Sequence, residues 1–512
     1  MRLAHSKPVL RPPEWCSLHS ASGFRGACFE GGRFYGRLSA NALTFNQSHR
    51  EYSSLRPDQT IPESIIAFNP FTALARAAIK RGAALAAALL LVSCASEPPK
   101  SLVTPFPPVT KQPLPTPGKP AQPHAQEPMR GVWLATVSRL DWPPVASVNG
   151  TSPAQRIRQQ QQSLIDKLDK LKSLGINTVF FQVKPDATAL WPSKILPWSD
   201  MLTGKIGEDP GYDPLQFMLD EAHKRGIKVH AWFNPYRVSV NTKSSTVSEL
   251  NRTLSLHPAS VFVLHRDWIR TAGDRYVLDP GIPEARDWIT SIVAEVVARY
   301  PIDGVQFDDY FYAESAGSLL NDNQTFSRYG QGFASKADWR RHNTQQLIEQ
   351  VSHTIKQLKP EVEFGVSPAG VWRNLSHDPA GSDTRGAAAY DEAFADTRRW
   401  VQQGLLDYIA PQLYWPFSRQ AARYDVLANW WAEVVKPTKT RLYIGLALYK
   451  VGEPSKIEPD WTQQGGVPEL KKQLDLNESN PNIDGTILFR ENYLNQPQTQ
   501  QAVSYLKSRW GG

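Results

Sequence analysis

The chain has 512 residues, 57 Lys/Arg against 49 Asp/Glu and 41% hydrophobic residues, a length that suits a barrel of about 250 residues enlarged by long loops. Its net charge of +8 sits upstream: residues 1–94 carry 11 Lys/Arg and 5 Asp/Glu, leaving 46 against 44 in the rest. A nearly neutral main body argues against a nucleic-acid footprint, and no nucleic acid is expected as a partner.

Residues 1–74 are mixed, lack helical periodicity and include the run FEGGRFYGR. They are expected to be a disordered extension upstream of the genuine start, near residue 70. No Met lies between Met1 and Met129, so that start would need a non-Met codon. Residues 75–93 read as a signal peptide. Arg76, Lys80 and Arg81 precede an apolar run, Gly82 to Val92, too short for a bilayer span of about 20 residues. The run ends in Leu91-Val92-Ser93-Cys94, which resembles a lipobox, with cleavage before Cys94 and lipid on its thiol. Ala95 rather than Asp favours the outer membrane, by resemblance to bacterial lipoproteins. The alternative is a short buried helix that happens to end in Cys. Cys16 and Cys28 lie upstream, so the remaining part holds no disulfide framework and no Cys-based metal site.

Residues 94–128 form the lipidated Cys and a linker, with 11 prolines between 95 and 128. Such a segment tends to polyproline II and, at about 3.1 Å per residue, reaches roughly 100 Å. It suits a spacer from a membrane; the alternative is a proline-rich ligand for a partner domain.

From residue 129 to 512 apolar strands alternate with amphipathic helices. Strands are predicted at 131–136, 176–184, 227–234, 304–308, 362–369, 407–414, 442–449 and 485–490. Helices are predicted at 155–174, 214–225, 283–299, 336–358 and 421–435, with stop signals at Gly175, Gly226, Pro301 and Gly404. Eight strands in this alternation predict an α/β fold, a (β/α)8 TIM barrel whose βα loops carry the active site.

The strongest chemical signal is Asp303-Gly304-Val305-Gln306-Phe307-Asp308-Asp309-Tyr310. Alternation puts Gln306 and Asp308 on one face of the strand, and Asp308 points into the barrel mouth if Phe307 packs outward. Two adjacent acids repel and separate in pKa, as acid/base work requires; the alternative is a helix cap or an ordered loop. Glycoside hydrolysis usually takes two carboxyl groups, so Asp308, Asp309 and Glu491, which follows strand 8, are the catalytic candidates. A structural salt bridge is the other use of Glu491. Aromatic, amide and basic side chains at the same rim suit sugar binding: Asp186, Asn234, Tyr236, Arg237, Trp372, Arg373, Gln412, Tyr414 and Trp415. Asp279, before Pro-Gly, reads as turn chemistry. Trp232, inside a strand, reads as core. There is no P-loop, no G-x-G-x-x-G after a strand, no H-E-x-x-H and no G-x-S-x-G. No cofactor or metal is expected, although Asp308, Asp309 and Asp186 leave a cation site open.

The segments MRGVWLATVSRLDWPP, FFQVKPDATALWPSKILPW, HAWFNPYR, DGVQFDDYFY, FGVSPAGVWR and IAPQLYWP together resemble glycosyl-hydrolase-like family 10, from about residue 129 to 511. The resemblance implies a barrel glycosidase. Through the family's enteric lipoproteins it implies an outer-membrane protein facing the periplasm that cuts peptidoglycan glycans stripped of stem peptides, with division-site proteins as partners. DGVQFDDY also resembles the strand-4 signature DGxDxDxE of chitinase-type hydrolases, but Tyr310 stands in place of the final Glu. The reading is hydrolysis of β-1,4 linkages in an amino-sugar glycan. Asp308 would be nucleophile or electrostatic stabiliser, and Asp309 or Glu491 general acid/base. The competing reading is a non-catalytic glycan-binding lipoprotein on a degenerate barrel.

Overall fold

Apolar runs rich in Val, Ile, Phe and Leu form eight parallel strands that close on themselves, because strands buried on both faces need helices outside and a filled interior. The computed structural model describes residues 127–149, 152–314 and 317–511; the upstream extension, the signal, Cys94 and nearly all of the Pro-rich arm lie outside them. The barrel strands are β1 (Met129–Leu134), β2 (Thr178–Lys184), β3 (Lys228–Phe233), β6 (Gly304–Phe307), β7 (Glu363–Val366), β8 (Tyr408–Ile409), β9 (Arg441–Leu446) and β10 (Gly485–Leu488). Each pairs with its chain neighbours, and β1 pairs with β10 to complete the ring. All eight predicted strands are present.

Outside run α1 (Pro153–Ser173), α2 (Pro214–Lys224), α3 (Pro283–Arg299), α4 (Lys336–Leu358), α5 (Thr397–Gln402), α6 (Tyr424–Val435), α7 (Val467–Ser479) and α8 (Gln500–Trp510). Local chemistry sets their ends. Ser152 and Asp213 accept from backbone N–H groups three residues on, and Pro follows each at the first helical position. Gly175 (φ +73°) and Gly226 (φ +68°) turn the chain back toward the sheet in a conformation that disfavours a side chain. The loop after β3 holds an antiparallel hairpin, β4 (Ile269–Ala272) and β5 (Arg275–Leu278), absent from the predicted elements. Its signal was the Gly273-Asp274 pair between two short strands.

Two cores result. Outward residues of the strands pack against the helices, and Val305, Phe307, Phe364 and Ile409 belong there. Inward residues fill the bore: Trp133, Phe180, Trp232, Tyr408, Tyr443 and Ile487. Such large rings fit because neighbouring inward positions are glycines. A Cβ on Gly304 would lie 2.5 Å from His230 Nδ1, and one on Gly365 would lie 2.2 Å from the Tyr408 ring. His230 is fully buried, hydrogen-bonded to Tyr408 Oη at 3.0 Å. Burial pushes its imidazole down to about 4 against the opposing pull of Glu363 and Asp303.

Gly365→Ala is expected to overpack the bore and cost about 1–3 kcal/mol, read as a lower urea midpoint at unchanged slope. His230 is neutral when folded and gains a proton near its ordinary value of about 6.5 when unfolded. Its contribution is therefore present above that pH and lost as pH falls toward 4. Wild type should lose about 3 kcal/mol more than His230→Gln between pH 7 and pH 4 in urea unfolding.

Candidate active site

Above the aromatic floor the inward positions turn polar. On β2 the inward order is Phe180, Gln182, Lys184; on β3, His230, Trp232, Asn234; on β6, Gly304, Gln306, Asp308. Residues at the same height meet across the barrel. Gln306 accepts from Trp133 Nε1–H at 3.1 Å and donates to Ser367 Oγ at 3.0 Å. One layer higher, Asn234 Nδ2 donates to Asp308 Oδ2 at 3.0 Å. Asp308 Oδ1 accepts from the Asp309 N–H at 2.9 Å and, more loosely, from Gln412 Nε2 at 3.5 Å. Gln412 is aimed by a second bond to Ser367 O at 2.9 Å. Convergent donors suit an ionised acceptor at Asp308.

Asp309 is buried, and burial first, then the charge of Asp308 and a hydrogen bond to its carboxylate, hold the Asp309 carboxyl far above the usual range. Asp309 also borders a cavity of about 270 Å³ between the loops after β6 and β7. Its walls are largely apolar, including Phe311, Ala389 and Ala395, with Glu392 at the edge. Phe394, another wall residue, sits at φ +54°, a costly conformation for a bulky side chain, in a site-forming loop. A buried acid opening into a cavity at the C-terminal face of a barrel is where this fold does chemistry.

The cations nearby are already engaged. Arg237 is buried, bridges Glu314 at 2.7 Å and lies over the Tyr310 ring at 4.9 Å. Lys184 Nζ donates to Asn234 O at 2.8 Å and Pro235 O at 3.2 Å, and burial brings it down to about 7. Asp186, bonded by Thr188 at 2.6 Å, is raised by burial to about 6. Among the described residues no group of three or more His, Cys, Asp and Glu side chains gathers to hold a metal ion.

Of the residues proposed from sequence, Asp308, Asp309, Asn234 and Gln412 come together. Others are placed elsewhere. Glu491 opens a short helical turn beyond β10 and is buried in an ion pair with Lys167 of α1, with Asn495 donating at 3.3 Å. It contributes no second carboxyl to the Asp308 cluster. Arg490 pairs instead with Asp141. Tyr236 is buried in the outer core, its hydroxyl without a hydrogen-bond partner among the described residues. Trp372 stacks on Trp430 at 5.8 Å and donates to Asp396 at 3.0 Å. Trp415 is likewise in the outer core. Neither indole offers an open face to a sugar. Arg373 is tied to Asp378 and Asp391, and Asp391 borders the cavity. Tyr414 packs edge-on to Tyr449 and against Phe489. The sequence reading placed Gln306 on the face of Asp308 without giving it a role, and missed Gln182, Glu314 and the half-buried rings of Tyr449, Phe489 and Tyr493 beyond β9 and β10. The missed signal was polar residues at alternate positions toward strand ends. Trp232 fills the bore, its indole N–H unpartnered among the described residues.

Glu491→Gln should leave kcat within about twofold of wild type while lowering stability by about 1–3 kcal/mol, since it weakens a buried pair without touching the acid cluster. Parallel kinetics and urea unfolding check this.

The family model described as "Glycosyl hydrolase-like 10" matches residues 128–463. The chain is 77% identical over 439 residues to "Glycosyl hydrolase DigH" of Escherichia coli O6:H1, covering 85% of this chain and 98% of that protein. It is 44% identical over 371 residues to "Glycosyl hydrolase YngK" of Bacillus subtilis, covering 72% and 69%. Among solved structures, the glycoside hydrolase domain of PgaB (BpsB) from Bordetella bronchiseptica aligns with a TM-score of 0.44 at 14% identity, covering 74% of this chain and 98% of that one. The match over most of the barrel and the identity to these relatives place this chain in the glycosyl hydrolase-like 10 family, on a (β/α)8 barrel with a hydrogen-bonded acid pair in its mouth.

Proposed function

We propose that this glycosidase hydrolyses β-1,4 linkages of an amino-sugar glycan, namely peptidoglycan strands and above all those stripped of stem peptides. One observation carries the reading: Asp309, adjacent to Asp308 at the wall of a cavity, has its carboxyl held far above the usual range by burial and by the Asp308 charge. Binding alone needs no acid pair, which disfavours a binding-only barrel. Asp309 donates its proton to the leaving oxygen and takes one back from the water that completes hydrolysis, while Asp308 stabilises the positive charge that develops at the sugar. Asn234 and Gln412 hold Asp308 in place. Arg237, which grips the loop after β6 through Glu314, holds that loop rather than the sugar.

The spacing of the pair constrains the route. Carboxyls that flank a glycosidic bond stand about 5–5.5 Å apart in retaining enzymes and about 6.5–9.5 Å in inverting ones. Asp308 and Asp309 are adjacent residues of one strand end, and in this reading the attacking group is water or the acetamido group of the substrate. Anchoring through Cys94 to the outer membrane, with the Pro-rich arm as spacer, would let the barrel reach the wall from the periplasmic face and meet division-site proteins.

Asp308→Asn is expected to lower cleavage of purified, peptide-free glycan strands by about 10²–10⁴-fold while strand binding persists. Undiminished cleavage would refute the assignment. Asp309 must carry its proton to act, and its folded pKa is raised. Activity should therefore persist into pH values where an ordinary Asp is ionised, then fall as pH rises through that raised value; in Asp309→Asn this fall should vanish along with most of the rate. Mass analysis of products decides the reaction type: reducing ends support hydrolysis, and anhydro ends would show lytic transglycosylation.

A further inference from the structure

We infer that Gln182 is a positioning residue that fixes the hydrogen-bonding polarity presented to Asp308, acting through Asn234. This rests on the role given to Asp308 above and adds the element that sets its environment.

The argument starts at the backbone. Gln182 Oε1 accepts from the N–H groups of Thr136 (2.9 Å) and Val137 (2.8 Å), just beyond β1. Main-chain amides can only donate, so the side-chain amide of Gln182 has one permitted orientation. Its Nε2 must face Asn234, and it donates to Asn234 Oδ1 at 2.6 Å. The Asn234 amide is then fixed in turn, with Nδ2 toward Asp308 Oδ2 at 3.0 Å. An Asn or Gln side chain alone could flip and offer either atom. Here two successive amides are locked by a donor pair that cannot flip.

The same residues are clamped through their main chains. Thr136 Oγ1 donates to Gln182 O at 2.8 Å. Asn234 N donates to Lys184 O at 2.9 Å, and Lys184 Nζ donates back to Asn234 O at 2.8 Å. Gln182 is 0% and Asn234 1% exposed, so water cannot replace a lost partner. The loop after β1 thus dictates, through β2 and β3, that the carboxylate on β6 meets a donor.

Gln182→Glu separates this role from a structural one. The carboxylate still accepts from Thr136 and Val137, so the loop stays satisfied. It also presents an acceptor where Asn234 needs a donor. Asn234 turns its Nδ2 toward residue 182 and its carbonyl oxygen toward Asp308, against another acceptor. On peptide-free glycan strands we expect kcat relative to wild type to fall roughly 10- to 100-fold as pH rises and residue 182 loses its proton, with KM within about twofold. Gln182→Met, which strands two buried N–H groups, should instead lower the thermal midpoint. In an Asn234→Ala background, Gln182→Glu should cost nothing further, because its route to Asp308 is already cut. A kcat that matches wild type across the whole pH range in Gln182→Glu overturns the inference, as does an undiminished loss in the Asn234→Ala background. If Asp308→Asn is inactive while Gln182→Glu is unimpaired, the positioning role alone fails. If Asp308→Asn is fully active, the assigned function fails and the positioning role falls with it.

Discussion

The bore of the barrel must be filled, and how it is filled decides everything above it. Eight strands leave an interior just wide enough for side chains. Here it is packed by Trp133, Phe180, Trp232, Tyr408 and Tyr443, rings admitted only because Gly131, Gly304, Gly365 and Gly445 leave the space that a Cβ would take. This floor is dry and close-packed, so it transmits position rather than absorbing error. Gln306 ties it to the next layer by accepting from Trp133 and donating to Ser367. The acid pair therefore stands on a platform whose height and rotation are set by aromatic packing a layer below.

On that platform the electrostatics resolve by partition. Buried charges are tolerated only when paired or bonded, and each cation near the acids is occupied. Arg237 is held by Glu314, and Lys184 is held by carbonyls of the loop after β3. Arg237 also feels the charge of Asp308, yet burial and the Asp308 charge still hold the Asp309 carboxyl far above its usual range.

Period-two alternation made much of this legible in the sequence. The eight strands were readable as apolar runs, four of them directly after a helix stopped by Gly175, Gly226, Pro301 or Gly404. Asp308 was readable because Gln306 and Asp308 share parity with the inward Gly304. The same parity places Gln412 inward and Trp415 outward, as found, yet a Trp just past a strand end invites a reading as a sugar platform. Gln182 was hidden inside Phe-Phe-Gln-Val-Lys, which reads as an ordinary buried strand until one knows which layer the glutamine occupies. Glu491 shows where parity stops. The chain enters a helical turn at that residue, so its side chain swings to Lys167 on α1 instead of continuing the inward series of Ile487 and Phe489. The hairpin after β3 escaped because its strands are four residues each, below the length at which alternation is distinctive.

The closeness of Asp308 and Asp309 bears on what kind of substrate such a site can turn over. Two acids on adjacent residues, joined through the Asp309 N–H to Asp308 Oδ1, are proposed to work from one side of the bond to be cleaved. On the proposed reaction, attack must come from outside the pair. Water can serve any sugar, but an acetamido group can serve only a substrate that carries it, already positioned against the reacting carbon. A carboxylate fixed beside the reacting sugar, as Asp308 is by Asn234 and Gln412, would stabilise the positive charge such an attack places on the acetamido nitrogen. An amino-sugar glycan would then be selected at the chemical step as well as in binding, because a glycan lacking the acyl group would bring no nucleophile of its own.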